Sequence, residues 1–318
     1  MNKKIGIIAG GAVAVLFGGA LLFSNKEKED KEEKTKAVVK IEHEVGTTEV
    51  NEEPKRIVVF DFAALDTLDK LGIEGIVGIP KSSTIPEYLS KYKSDEYESV
   101  GGLKEPDLEK INELKPDLII INGRQHSFYE KLSQIAPTIS LAKKDGEYIE
   151  STTKNLKYLG DIFNKEDEIS EELKKINEKV EDINKKVKEN GYSATTIMAS
   201  NGELSVFGKE SRFGVIYNEL GFENTDENVK AADHGQTVSY EYIKNQKADY
   251  MFVIDKGAIT NDKKTAKELL NNELVNSSEV YKKGNIIYLN TVAWYISDGG
   301  IQSTYIMLDE INKSINKS

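Results

Sequence analysis

No cysteine occurs among the 318 residues. That absence excludes disulfides, thiolate nucleophiles, cysteine-bound metal centres and lipid attachment at a cysteine. It leaves the compartment open, because exported bacterial proteins also lack cysteine. Histidine is scarce too. The three residues, His43, His126 and His234, are dispersed without the spacing of a zinc site. Positive charge is in deficit, with 43 Lys and Arg against 54 Asp and Glu and a formal net charge of −11. No basic face for nucleic acid is therefore expected. Neither a Ser-His-Asp order, a G-x-S-x-G elbow nor a phosphate loop is found, so the sequence makes no positive case for an enzyme.

Long apolar runs are missing except at the N-terminus. There "MNKKIGIIAGGAVAVLFGGALLF" places Lys3 and Lys4 before an uncharged stretch from Ile5 to Phe23. As a helix that stretch spans roughly 28 Å, close to a hydrocarbon core. No clear A-x-A cleavage site follows, so residues 1–24 read as a signal anchor in preference to a cleaved signal peptide. Its lysines would stay in the cytoplasm and the body outside. Residues 25–36, "NKEKEDKEEKTK", are nearly all charged and read as a solvated tether.

What is present from Val38 onward is an alternation of short strands and helices, the pattern of α/β units with a largely parallel sheet. "AVVKIEHEVGTTEV" alternates around Gly46 as a hairpin. "RIVVFD", "GIVGIP" and "PDLIIIN" read as buried strands, and "FAALDTLDKLGI" and "PDLEKINELK" as helices. Ile169, Leu173, Ile176, Val180, Ile183 and Val187 form one apolar stripe on a long helix that Gly191 stops. "ATTIMAS", "LSVFG", "DYMFVID" and "NIIYLN" resume the strands, and a last helix begins near Gly300. The pattern predicts two lobes, residues 37–145 and 191–318, joined by a helical segment over 146–190.

Two stretches repeat. "KPDLIIINGR" ends on Arg124 and "KADYMFVIDK" ends on Lys256; Glu109, Ile111, Lys115 and Asp117 align with Glu241, Ile243, Lys247 and Asp249. Each lobe thus has a helix carrying a glutamate, then a strand delivering a cation. Ligands of open α/β sheets sit beyond the carboxyl ends of strands, so Arg124 and Lys256 are expected to face one cleft. Arg212, in "GKESRFGVIYNELGF" just before a helix expected from Phe213, is a third cation at an element boundary. Three convergent cations suit an anion, and arginine's planar fork suits chelated oxygens. His43 reads as incidental, His126 as a rim residue and His234 as part of a loop. Trp294, the single tryptophan, stands beside Tyr295 after a strand, where aromatics usually pack as a cap.

From about Val38 on, the segments "EPKRIVVFDFAALDTLDKLG", "VGGLKEPDLEKINELKPDLIIINGRQ", "SRFGVIYNELGF", "HGQTVSYEYI" and "YLNTVAWYISDGG" resemble substrate-binding proteins of ABC importers for iron–siderophores. The resemblance is to the catecholate type that takes petrobactin and tetradentate enterobactin-like ligands. It implies two Rossmann-like α/β lobes joined by a single long helix, the class III periplasmic-binding-protein fold. It also implies that His234 and Tyr295 complete the coordination of Fe(III), as hard phenolate oxygen and imidazole nitrogen can. Arg124 and Arg212 would neutralise the anionic complex, with Lys256 where the family often has arginine and Trp294 as a further ligand contact. Glu109 and Glu241 would dock on the permease. No intrinsic cofactor is implied, only the ferric siderophore as cargo, and the chain is expected as a monomer. Ser24 stands about where related Gram-positive proteins carry a lipidated cysteine. The alternatives are a receptor for haem, cobalamin or a hydroxamate siderophore, and a direct binder of divalent metal.

Overall fold

Val38–His43 (β1) and Gly46–Asn51 (β2) pair antiparallel across a tight turn. Ile41 and Val50 alone point fully inward, as period-two alternation requires of a ribbon with one covered face. The computed structural model describes residues 37–316 except Asp233 and Asn261. The expected anchor over 1–24 and the tether over 25–36 lie outside the described residues. Among the described residues no helix is long and apolar enough to cross a membrane.

The first half then runs β3 (Ile57–Val59), α1 (Phe62–Lys70), β4 (Ile76–Ile79), β5 (Glu98–Ser99), α2 (Leu108–Leu114), β6 (Leu118–Ile121), α3 (Tyr129–Ser133) and β7 (Thr138–Ser140). Its strands form an all-parallel sheet in the order β5-β4-β3-β6-β7. Ile57, Val59, Leu118 and Ile120 pack on one face; Val58, Ile119 and Ile121 pack on the other. Burial on both faces explains why these strands read as unbroken apolar runs.

Two helices lead to the second half: α4 (Tyr148–Phe163) and the 25-residue α5 (Glu166–Asn190). At ~1.5 Å per residue, α5 is roughly 37 Å long. Leu159 and Ile162 of α4 join the first half's core, whereas Ile176, Ile183 and Val187 of α5 join the second's. Between them Leu156, Ile169, Leu173 and Ile301 make a small separate cluster. Gly191, with φ of 62°, ends α5 in the left-handed conformation.

The second half contains β8 (Ser193–Ser200), β9 (Glu203–Phe207), α6 (Val215–Asn218), β10 (Glu223–Asn224), β11 (Gln236–Val238), α7 (Tyr240–Asn245) and β12 (Tyr250–Asp255). Four short helices follow: α8 (Gly257–Thr260), α9 (Ala266–Leu270), α10 (Glu273–Asn276) and α11 (Glu279–Lys282). Then come β13 (Ile286–Tyr288) and α12 (Ile301–Ile315). The sheet order is β11-β9-β8-β12-β13, with β9 antiparallel to both its neighbours and β10 paired to β8.

The repeat read in the sequence has a structural counterpart. β6 and β12 occupy the same place in their sheets, each between two parallel partners. Asp117 accepts the backbone N–H of Arg56 at 2.8 Å, beside the start of β3, while Asp249 accepts that of Ser193 at 3.1 Å, at the start of β8. The aspartates satisfy otherwise free strand-end donors, and each half uses the same device.

The halves are also tied through α12. Asp66 of α1 accepts the N–H groups of Gln302 and Ser303 in the first turn of α12, both at 2.7 Å. A carboxylate at a helix N-terminus satisfies orphan donors and meets the positive end of the dipole. Here the cap comes from the opposite half.

Candidate functional site

Each cation of the cleft sits on a short, well-braced segment. Arg124 lies in the short 3₁₀ helix Gly123–Phe128 that follows β6. Asn122 caps that helix, its side chain accepting from Gly123 N–H at 2.7 Å. Asn122 also donates its amide to Asp61 at 3.1 Å, and Asp61 caps α1 through Ala63 N–H at 2.8 Å. One buried carboxylate therefore binds the ends of β3 and β6 together beneath Arg124. Burial pushes the Asp61 carboxyl up, with Lys143 nearby pulling it the other way.

Arg212 follows β9 in the turn Ser211–Gly214, where Ser211 Oγ donates to Gly208 O at 2.7 Å and Gly214 N–H to Ser211 O at 2.8 Å. A Cβ at Gly214 would collide with the Lys209 carbonyl, so the turn requires glycine. The helix expected from Phe213 begins at Val215, because this turn comes first. Lys256 is the residue immediately after β12.

All three cations converge on Tyr295. The ring centroid is 4.2 Å from Arg212 Cζ, 5.7 Å from Arg124 Cζ and 5.5 Å from Lys256 Nζ. Arg124 and Arg212 also donate to the Tyr295 carbonyl, at 3.1 and 3.2 Å. Tyr295 is presented by a π-helical turn, Val292–Ile296, which Ser297 N–H closes onto Val292 O at 3.0 Å. Such turns are rare and recur at functional sites. Arg212 Nε is buried with no hydrogen-bond partner among the described residues, which is what a site awaiting an acceptor looks like.

These side chains line a cavity of about 530 Å³ between the halves, and His234, exposed in the turn before β11, lines it too. The lining holds six cations, Lys104, Arg124, Lys143, Lys144, Arg212 and Lys256, against three carboxylates, Glu44, Asp145 and Asp298. His126 also lines the cavity, with Nε2 2.8 Å from Ser140 Oγ. Among the described residues no three His, Cys, Asp or Glu side chains group as a metal site. A groove of about 670 Å³ outside α4 and α5 is larger, but its lining mixes acids and lysines without convergence on one point.

One expected contact is corrected. Trp294 does not line the cavity. It is 1% exposed in the second half's core, and its indole N–H donates to Glu310 of α12 at 3.0 Å. Consecutive residues of a helical turn project roughly a quarter-turn apart or more, so aiming Tyr295 at the cleft turns Trp294 inward. His43 lies off the cleft, bonded to Thr48 Oγ1 at 3.0 Å in the hairpin. Glu109 and Glu241 are exposed, and each is the second residue of its helix, α2 and α7.

Sequence reasoning missed Lys143, Lys144 and Asp298. Lys143 and Lys144 follow β7, so the logic of a strand delivering a cation applies to them as to Arg124. Asp298 carried no such signal. It lies 3.1 Å from Lys143 Nζ and 3.3 Å from Arg212 Nη2. Burial alone would raise its carboxyl, but Lys143, Arg212 and Arg124 hold it below the usual carboxylate range.

Comparison with known proteins gives the family and the fold. Residues 57–293 match the family model described as periplasmic binding protein. The petrobactin-binding protein YclQ of Bacillus subtilis is 42% identical over 307 residues, 96% of either chain. Its crystal structure superposes with a TM-score of 0.85 over 89% of this chain and 100% of that one. The periplasmic catecholate-siderophore binding protein VctP of Vibrio cholerae is 35% identical with a TM-score of 0.81, covering 87% of this chain and 100% of its own. The ferric-anguibactin-binding protein FatB of Vibrio anguillarum is 32% identical over 86% of both chains.

Proposed function

Because the chain belongs to the periplasmic binding protein family, we propose that it is an extracytoplasmic receptor. It captures a ferric catecholate siderophore in the cleft between its halves and delivers it to an ABC permease for iron uptake. The observation that carries this reading is the convergence of Arg124, Arg212 and Lys256 on Tyr295 inside a cavity with an excess of positive charge. Catecholate chelates of Fe(III) are anionic, and fixed cations at a half-buried site hold an anion better than mobile surface ones do.

Tyr295 and His234 supply the rest. Tyr295 offers a hard phenolate oxygen to iron, and His234, which lines the same cavity from the turn before β11, offers an imidazole nitrogen. Two protein ligands match a chelator that fills four of iron's six positions. Glu109 and Glu241, one on each half at corresponding places, serve as docking contacts for the permease. The N-terminal segment holds the receptor at the outer face of the membrane, without a lipid because no cysteine is present to carry one. The receptor acts as a monomer.

The test is isothermal titration calorimetry of residues 37–318 with a ferric bis-catecholate, a ferric hydroxamate and haem, with visible spectra recorded alongside. Selective binding of the bis-catecholate, with a charge-transfer band altered in His234→Ala and Tyr295→Phe, supports receptor class and iron ligation together. Binding of haem or hydroxamate alone leaves the fold and rejects the ligand class. For the membrane tether, recovery of the mature chain in a soluble extracellular fraction overturns the anchor.

A further inference from the structure

Asp298 is the carboxylate on which cations from both halves meet. Lys143 reaches it from the loop after β7, with a 3.1 Å ion pair and a second hydrogen bond to the Asp298 carbonyl. Arg212 reaches it from the second half at 3.3 Å. The side chains of Lys143 and Asp298 are only 15% and 10% exposed. The backbone is shaped for this crossing. Gly299 has φ of 102°, and a Cβ there would lie 2.9 Å from Lys143 Cδ, so the lysine passes over bare main chain.

We propose that Asp298 is a specificity-determining residue of the cleft: a built-in counter-ion that sets how much positive charge the ligand meets, with Lys143 as a ligand-facing cation it positions. This rests on the reading of the cleft as a receptor for an anionic ferric chelate, and it deepens that reading. A carboxylate held between two of the binding cations subtracts from their field. The subtraction costs a highly charged chelate more than a weakly charged one, because Coulomb energy scales with ligand charge. Specificity is a difference of affinities, and a fixed like charge is one way to build it. Asp298 thus shifts the cleft's preference toward chelates of lower net charge, the same class that leaves iron positions open for Tyr295 and His234.

The experiment compares two probes by calorimetry: the singly charged ferric complex of a linear bis-catecholamide and the triply charged ferric complex of a tris-catecholamide. Asp298→Asn is expected to raise the tris-to-bis affinity ratio by about tenfold, and less at high salt. Asp298→Glu is expected to keep the unmodified ratio, and Lys143→Gln to lower it. Equal loss of both affinities in Asp298→Asn, with the ratio unmoved, would make Asp298 a packing residue and overturn the proposal. If Asp298→Asn does not fold, Lys143→Gln decides: an unchanged ratio overturns it. Unmodified protein that binds neither probe overturns the receptor reading itself and takes the proposal with it.

Discussion

Arg124 and Arg212, carried by opposite halves of the molecule, donate to one acceptor, the backbone carbonyl of Tyr295, at 3.1 and 3.2 Å. Two guanidinium groups are held side by side by a neutral oxygen, which orients them without cancelling their charge. The anion site is preorganised and remains cationic.

Tyr295→Phe is expected to weaken a tetradentate ferric catecholate by at least about tenfold, the scale of lost metal-site contacts, and a hexadentate one much less. Only the former leaves iron positions open. Calorimetry with both ligands checks this; equal losses would mean that the ring packs and does not coordinate.

Lys256→Arg is expected to tighten the ferric catecholate a few-fold. Lys256 Nζ already lies 5.5 Å from the Tyr295 ring, and a planar fork adds a second directed donor at the same place. Weaker binding in the variant would show that the cavity is fitted to the ammonium group.

Glu109→Ala combined with Glu241→Ala is expected to leave ligand affinity unchanged and to stop uptake of ferric siderophore by cells. Both residues are exposed at the start of equivalent helices, away from the cavity lining. Normal uptake by the double variant would reject the docking role.

Asp66 makes stability depend on pH in an unusual direction. Burial raises its carboxyl to about 6, although it accepts from Gln302, Ser303 and Tyr88. Because the folded value lies above the unfolded one, the contribution is complete below about pH 4 and is lost as pH rises through about 6. The amount is roughly 3 kcal/mol. Asp66→Asn removes the titration, so its stability relative to the unmodified chain should improve by about 2 kcal/mol between pH 4.5 and pH 7.5. Urea unfolding at the two pH values measures it, and an unchanged difference would mean that Asp66 titrates normally.

The repeat was readable because its elements are local: a lysine, an aspartate two residues on, an apolar run and a cation. Asp117 and Asp249 then do the same job in each sheet. The long amphipathic helix α5 was readable from its stripe, whereas nothing in the spacing set α4 apart from it within the helical segment over 146–190. Trp294 was misplaced because neighbours in sequence were taken as neighbours in space; a π-helical turn sends Tyr295 outward and Trp294 into the core. Asp298 was invisible because its meaning lies in Lys143, which is distant in sequence and belongs to the other half. No spacing rule links such residues.

Trp294 also has an optical consequence. It is the chain's only tryptophan, clamped by Glu310 in a dry environment and joined by one peptide bond to Tyr295. Its fluorescence therefore comes from a single, immobile emitter next to the place where a strongly coloured ferric chelate would sit. Excitation passing from indole to chelate would darken the protein as the cleft fills, so the molecule carries its own occupancy gauge and needs no dye.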